Sequence, residues 1–167
     1  MIHKLGHYGF ISGAFDDDLK FYLENFNLTP SDILYDPQNP DLDVLTFLHI
    51  DLGERYSDHH SLFFQRGPPG ETTILHHCSF EVADFDTQII GHDWLAEKGH
   101  ESVWGVGRHI LGSQIFDYWK DPSGFKIEHY ADGDIVNDKT PMERQAAGPD
   151  TLSVWGPPLP KSFIEAN

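Results

Sequence analysis

Two histidines in matching surroundings open the case for metal chemistry. His7 lies in Leu5-Gly-His7-Tyr-Gly-Phe10, followed by Phe15-Asp16, and His77 lies in Leu75-His-His77-Cys-Ser-Phe80, followed by Phe85-Asp86. The segments match at a constant offset of 70 (75 − 5), with Leu5/Leu75, His7/His77, Phe10/Phe80, Phe15/Phe85 and Asp16/Asp86 in register. Such self-similarity marks a duplicated module. Two modules related by a pseudo-two-fold would bring equivalent positions together. Two histidines and one carboxylate on one face of a divalent metal leave the opposite face open, as in non-haem Fe(II) oxygenases. His76 is the neighbouring alternative, but successive strand residues face opposite ways, and the register with His7 selects His77. Glu128, in Gly124-Phe-Lys-Ile-Glu128-His-Tyr130, is the candidate carboxylate. A lone strand glutamate ordinarily faces water, and Lys126 on the same face fits that reading too. The pattern by itself leaves both open.

The elements that must carry these residues repeat as well. Leu5–Ser12 and Leu75–Val82 alternate as short strands do. Acidic residues follow each, Asp16–Asp18 in one copy and Asp84 and Asp86 in the other, where free amides at a helix N-terminus favour negative charge. The first helix sets Leu19, Tyr22, Leu23 and Phe26 on one face. The second, over about 86–98, sets Ile90, Trp94 and Leu95 inward and stops at Gly99. Further strands are expected over Val44–Asp51 and Ser61–Gln65, then over Gly112–Lys120 and Phe125–Tyr130. Turns fall at Gly67-Pro-Pro-Gly70 and Asp121-Pro-Ser-Gly124. The pattern is strand, helix, several strands, twice over. Residues 131–167 differ: they hold five prolines and few periodic apolar positions. We expect an arm laid over the surface, anchored by Trp155 and Gly156-Pro-Pro-Leu-Pro160.

The bulk composition sets outer limits. The 167 residues are 39% hydrophobic and 13% aromatic, enough for a packed core. Eleven Lys and Arg against twenty-seven Asp and Glu give a net charge of −16, which argues against nucleic acid and against anionic membrane surfaces. One cysteine, Cys78, excludes an intrachain disulfide and suits a reducing setting. No secretory signal or spanning run is legible, so a soluble, cytoplasmic protein is expected. Eleven histidines invite a search for metal ligands without proving any.

Four segments together resemble the type I extradiol ring-cleaving dioxygenases. They are Leu5-Gly-His7, Leu75-His-His77-Cys-Ser-Phe-Glu-Val82, Gly107-Arg-His109, and Phe116-Asp-Tyr118-Trp-Lys-Asp-Pro-Ser-Gly-Phe-Lys-Ile-Glu128-His-Tyr130. The resemblance is to the catalytic domain of catechol 2,3-dioxygenase and dihydroxybiphenyl dioxygenase enzymes, within the vicinal-oxygen-chelate superfamily. It covers residues 3–135, is strongest over 74–134, and is specific from Arg108 to Gly133. It implies an α+β fold of two repeated βαβββ modules, 3–66 and 74–135, forming one open barrel-like metal-binding domain over 1–135, with a Pro-rich arm over 136–167. It implies Fe(II), with Mn(II) as the alternative, on His7, His77 and Glu128, and no other cofactor. His60, in the pair His59-His60, matches the family's acid–base histidine. His109 matches its substrate-contacting histidine, and Tyr118 its active-site tyrosine. The implied partners are a small aromatic diol and O2, in a homo-oligomer. One departure stands out: the two-domain enzymes carry an additional N-terminal domain, and here the first ligand comes at position 7.

The expected activity is therefore Fe(II)-dependent extradiol cleavage of a catechol-type ring. Rival chemistries within the superfamily differ in their ligands. Glyoxalases and epimerases typically add a carboxylate from the first module, whereas Ser61-Leu-Phe-Phe-Gln65 offers only Gln65. Drug-sequestering relatives lack the triad. A tailoring oxygenase acting on a larger phenol or quinone would keep it. Arg108 and Lys126 are both candidates to meet an acidic substrate. Trp104, Trp119, Phe63 and Phe64 are candidates for a pocket wall or for plain core.

Overall fold

The computed structural model describes residues 2–148 and 151–164. Its elements run in chain order as β1 (Ile2–Ser12), α1 (Phe15–Asn25), β2 (Leu28–Asp36), β3 (Asn39–Ile50), β4 (Ser57–Asp58) and β5 (Leu62–Arg66). They continue as β6 (Ile74–Val82), α2 (Phe85–Glu97), β7 (Ser102–His109), β8 (Ile115–Lys120), β9 (Lys126–Ala131), β10 (Ile135–Val136), β11 (Glu143–Ala146), β12 (Ser153–Trp155) and α3 (Lys161–Ile164). The fold is α+β, a mixed sheet with few helices, and the chain divides into two compact units. No described helix is long and apolar enough to cross a membrane.

One unit takes residues 7–75 and 134–148. Its strand order is β11-β2-β3-β5-β1. β1 runs parallel to β5, with Tyr8 opposite Leu62 and Ser12 opposite Arg66. β3 is antiparallel to both β2 and β5. α1 returns over the sheet and buries Phe15, with Leu19, Tyr22 and Leu23 against Leu48, Leu62 and Phe64. Phe26 departs from expectation: it is the C-cap rather than a helix residue, and it is 54% exposed.

The other unit holds the N-terminal end of β1 and residues 76–133, with the described part of 149–167. Its order is β1-β6-β9-β8-β7-β12. β6 runs parallel to β9, with Ser79 opposite Glu128, so the connectivity of the first module recurs. The helices begin at Phe15 and Phe85, the same offset of 70. Asp84 caps α2, its carboxylate accepting from the Thr87 amide at 2.7 Å. The expected inward face of α2 is corrected, because Ile90 is 70% and Trp94 54% exposed. Gln88 is the buried residue instead. Its amide nitrogen donates to the Ile115 carbonyl at 2.8 Å and the His129 carbonyl at 3.0 Å. These two bonds offset the burial of its amide nitrogen, while Oε1 is buried without a hydrogen-bond partner among the described residues.

The two expected turns form. At the second, Asp121 accepts from the amides of Ser123 and Phe125, and Gly124 takes φ +88°, a conformation glycine adopts without steric cost. The expected arm, 136–167, adds β11 parallel to β2 and β12 antiparallel to β7. Its residues 149, 150 and 165–167 lie outside the described residues.

Candidate active site

His77 and Glu128 are brought together by the parallel pairing of β6 with β9. Both are buried, at 3% and 1% exposure, and His77 Nε2 stands 3.6 Å from Glu128 Oε2. The alternation of β9 puts Lys126, Glu128 and Tyr130 on its buried face. The solvent-facing reading of Glu128 and Lys126 is thereby corrected. His76 is also buried, and its Nδ1 lies 2.8 Å from Nδ1 of His77. That hydrogen bond turns the His77 Nε2 toward Glu128, the usual way a second partner fixes the ligating nitrogen of an imidazole.

Across from Glu128 on β8 is Tyr118, 2% exposed. Its hydroxyl lies 2.9 Å from Nε2 of His109. Burial, and after it the charge and hydrogen bond of Glu128, raise the Tyr118 phenol well above its ordinary value. The phenol therefore keeps its proton and serves as a donor. His109 ends β7, and its Nε2 is 4.0 Å from Glu128 Oε1. Its Nδ1 faces the Leu152 carbonyl at 2.8 Å. A carbonyl only accepts, so Nδ1 carries a proton and Nε2 is the atom turned inward.

His7 is buried on β1, beside Gly6, whose missing side chain makes room for Tyr130. The His7 ring lies 4.2 Å from that of His60, with Phe63 at 6.2 Å and Phe47 against His60 at 4.8 Å. His60 sits in the loop between β4 and β5 and is 3% exposed. It is held from behind by residues that sequence reasoning passed over. His59 Nδ1 is 3.0 Å from His60 Nδ1, and His59 Nε2 is 2.8 Å from Asp32 Oδ2. The carboxylate accepts from Nε2–H of His59. In the neutral pair the His59 Nδ1 then accepts from Nδ1–H of His60, which places the His60 lone pair on Nε2. The missed signal was Asp32 inside β2, a strand that its own proline and aspartates disguise.

Within one unit His77 and Glu128 offer two buried donors, and His7, buried in the other unit, is the third candidate ligand. With metal–donor bonds of about 2.0–2.2 Å, ligands on adjacent coordination positions stand roughly 3–3.5 Å apart, so the 3.6 Å between His77 and Glu128 suits a shared ion. Two imidazoles and a carboxylate form a donor set that Fe(II) and Mn(II) both accept. The other candidates have partners of their own. Arg108 donates to the Ser113 carbonyl and to Asp132, and Lys126 to carbonyls of α3. Trp104 stacks parallel to Tyr118 at 5.9 Å, while Phe64 and Trp119 are buried in packing.

Fold and site together define a superfamily. The chain matches the model of the Glyoxalase/Bleomycin resistance protein/Dioxygenase superfamily over residues 4–129, and it belongs to that family. Among known proteins it is 33% identical to Metapyrocatechase 2 of Cupriavidus necator over 163 residues, covering 96% of this chain and 47% of the relative. Among solved structures it resembles the Mn(II)-bound glyoxalase from Novosphingobium aromaticivorans, with a TM-score of 0.83 and 25% identity over 100% of this chain and 51% of that one. A substrate complex of homoprotocatechuate 2,3-dioxygenase from Brevibacterium fuscum shares the fold, with a TM-score of 0.81 and 18% identity over 98% and 49%. The chain thus spans about half the length of the relatives it matches.

Proposed function

We propose that this chain holds one divalent metal, Fe(II) with Mn(II) as the alternative, through His7, His77 and Glu128, and cleaves a catechol-type ring with O2 in the extradiol manner. The buried pair of His77 and Glu128, 3.6 Å apart, carries the reading, and the likeness to Metapyrocatechase 2 supports the substrate class. The metal, when bound, would orient diol and O2 together and carry charge between them. The side chains do the rest. His60, its Nε2 lone pair set by His59 and Asp32, takes a proton from a substrate hydroxyl. Tyr118 and the inward nitrogen of His109 hydrogen-bond substrate oxygens. Phe47 and Phe63 pack around His60 and keep water away from it.

The test is oxygen uptake by anaerobically purified, Fe(II)-loaded protein offered a panel of substituted catechols, with absorbance followed for a yellow ring-opened product and Glu128→Ala as control. Uptake and colour, both lost in the control, are expected. No uptake from protein that holds iron would sink the reading. The second reading is metal-dependent isomerisation, favoured by the likeness to the Mn(II)-bound glyoxalase. β5 reads Leu62-Phe-Phe-Gln-Arg66 and contributes no carboxylate, which speaks for the first. Conversion of a hemithioacetal by the Mn(II)-loaded protein, without oxygen consumption, would select the second.

A further inference from the structure

Lys126 is wholly buried, two residues before Glu128 on the same face of β9. An ammonium removed from water needs acceptors for its hydrogens. Here it donates to the carbonyls of Phe163 at 3.0 Å and Ser162 at 3.4 Å. Those carbonyls belong to the last turn of α3, where backbone acceptors have no partner within the helix and a lysine commonly supplies one. α3 has only four residues, too few to hold itself together. Its place therefore depends on what it is tied to.

What α3 carries makes the tie matter. The Phe163 ring lies 4.7 Å from Tyr118, 4.7 Å from Trp104, 5.1 Å from His76 and 6.3 Å from His77. It is buried among residues that position the substrate side of the site. We propose that Lys126 is a positioning residue that acts through α3: by tying down its last carbonyls, Lys126 fixes the Phe163 ring against Tyr118 and His77 and so sets how an aromatic substrate seats. The effect on substrate rests on the ring-cleavage reading above; the tie itself does not.

Two measurements on the full chain decide it. The first is hydrogen exchange of peptides covering 159–164 in wild type, Lys126→Met and Lys126→Arg. Lys126→Met is expected to speed exchange there and leave β8 and β9 protected, and Lys126→Arg to restore protection. The second is steady-state kinetics of the Fe(II)-loaded protein with catechol. Lys126→Met is expected to raise KM about tenfold with kcat nearly unchanged, the signature of a misplaced substrate wall. Because Lys126 acts through Phe163, Lys126→Met with Phe163→Ala should be no worse than Phe163→Ala alone. Unchanged exchange at α3, or effects on KM that add in the double variant, overturns the proposal. If Lys126→Met does not fold, Lys126→Gln replaces it in both measurements. Wild-type protein that cleaves no catechol defeats only the ring-cleavage reading, and the exchange result still decides whether Lys126 holds α3.

Discussion

The two modules share a backbone plan and close it with different chemistry. In the first, α1 docks through hydrocarbon: Phe15 is 2% exposed, and Tyr22 meets Phe64 at 5.3 Å between ring centroids. In the second, the position equivalent to Tyr22 is His92 (22 + 70), which reaches Asp117 at 3.1 Å. Asp117 is fully buried on β8 and also meets His129 at 2.9 Å and the Trp119 indole at 2.7 Å. Phe85, equivalent to Phe15, is 43% exposed. A supersecondary unit thus tolerates an apolar or a hydrogen-bonded layer behind the same strands, provided every buried polar group is met. The polar layer has a local consequence. Asp117 adjoins Tyr118, and His129 adjoins Glu128, so the network grips the two strands from the face opposite the candidate ligands.

The strongest way to break this comparison is at the histidine pair, one of the five positions where the modules agree. His7→Ala and His77→Ala should each abolish bound iron and ring cleavage to the limit of detection, read by metal analysis beside oxygen uptake. Retention of metal in either variant would end the idea of equivalent ligands. The buried aspartates should then separate cleanly. Asp32→Asn should lower kcat by an amount within the roughly 10²–10⁴-fold that acid–base help supplies, while leaving the melting temperature nearly in place. Asp117→Ala should do the reverse and cost about 3 kcal/mol, because it strands buried partners, as measured by urea unfolding. Hydrocarbon against exposure gives the next contrast. Phe15→Ala should cost about 3–5 kcal/mol, whereas Phe85→Ala should stay within about 0.5 kcal/mol. Equal costs would refute the asymmetry.

The smallest effect concerns pH. Burial lowers the pKa of His49 below its ordinary 6.5. Ser31 gives its hydroxyl proton to the His59 carbonyl, so Nδ1 of His49 donates to the Ser31 oxygen. The unfolded chain therefore binds this proton more readily than the folded one. The His49 contribution is intact above pH 6.5 and declines as pH falls from there toward the lower folded value. His49→Gln should flatten the stability profile below pH 6.5, and an unchanged slope would assign the acid sensitivity to other histidines.

Much of this architecture could be read before any coordinates. The offset of 70 located both opening strands, both helix starts and the histidine pair, because a repeat imposes the same local code twice. What escaped did so for physical reasons. β2 contains Pro30 and two aspartates and reads as loop, yet the proline falls where the register shifts and its missing amide is tolerated. β7 carries Gly105 and Gly107 at a second irregularity, where a side chain at either would strike β8. α2 misled because hydrophobicity predicts burial only when no polar side chain is better matched, and Gln88 is matched by two carbonyls. Lys126 misled for the same reason. Asp32 was invisible because its importance lies in what it touches, and His59 was read only as the neighbour of His60.

The short strands of the C-terminal arm have a bearing on colloidal behaviour. β11 adds to the outer side of β2, and β12 to that of β7. Each covers a longer strand, nine residues in β2 and eight in β7, with one of only four or three. A long bare strand offers a row of open amides and carbonyls to any neighbouring molecule, and short terminal strands make poor templates. Cutting the chain back to its repeated modules would uncover both, and the shortened protein would be prone to self-association through its sheet margins.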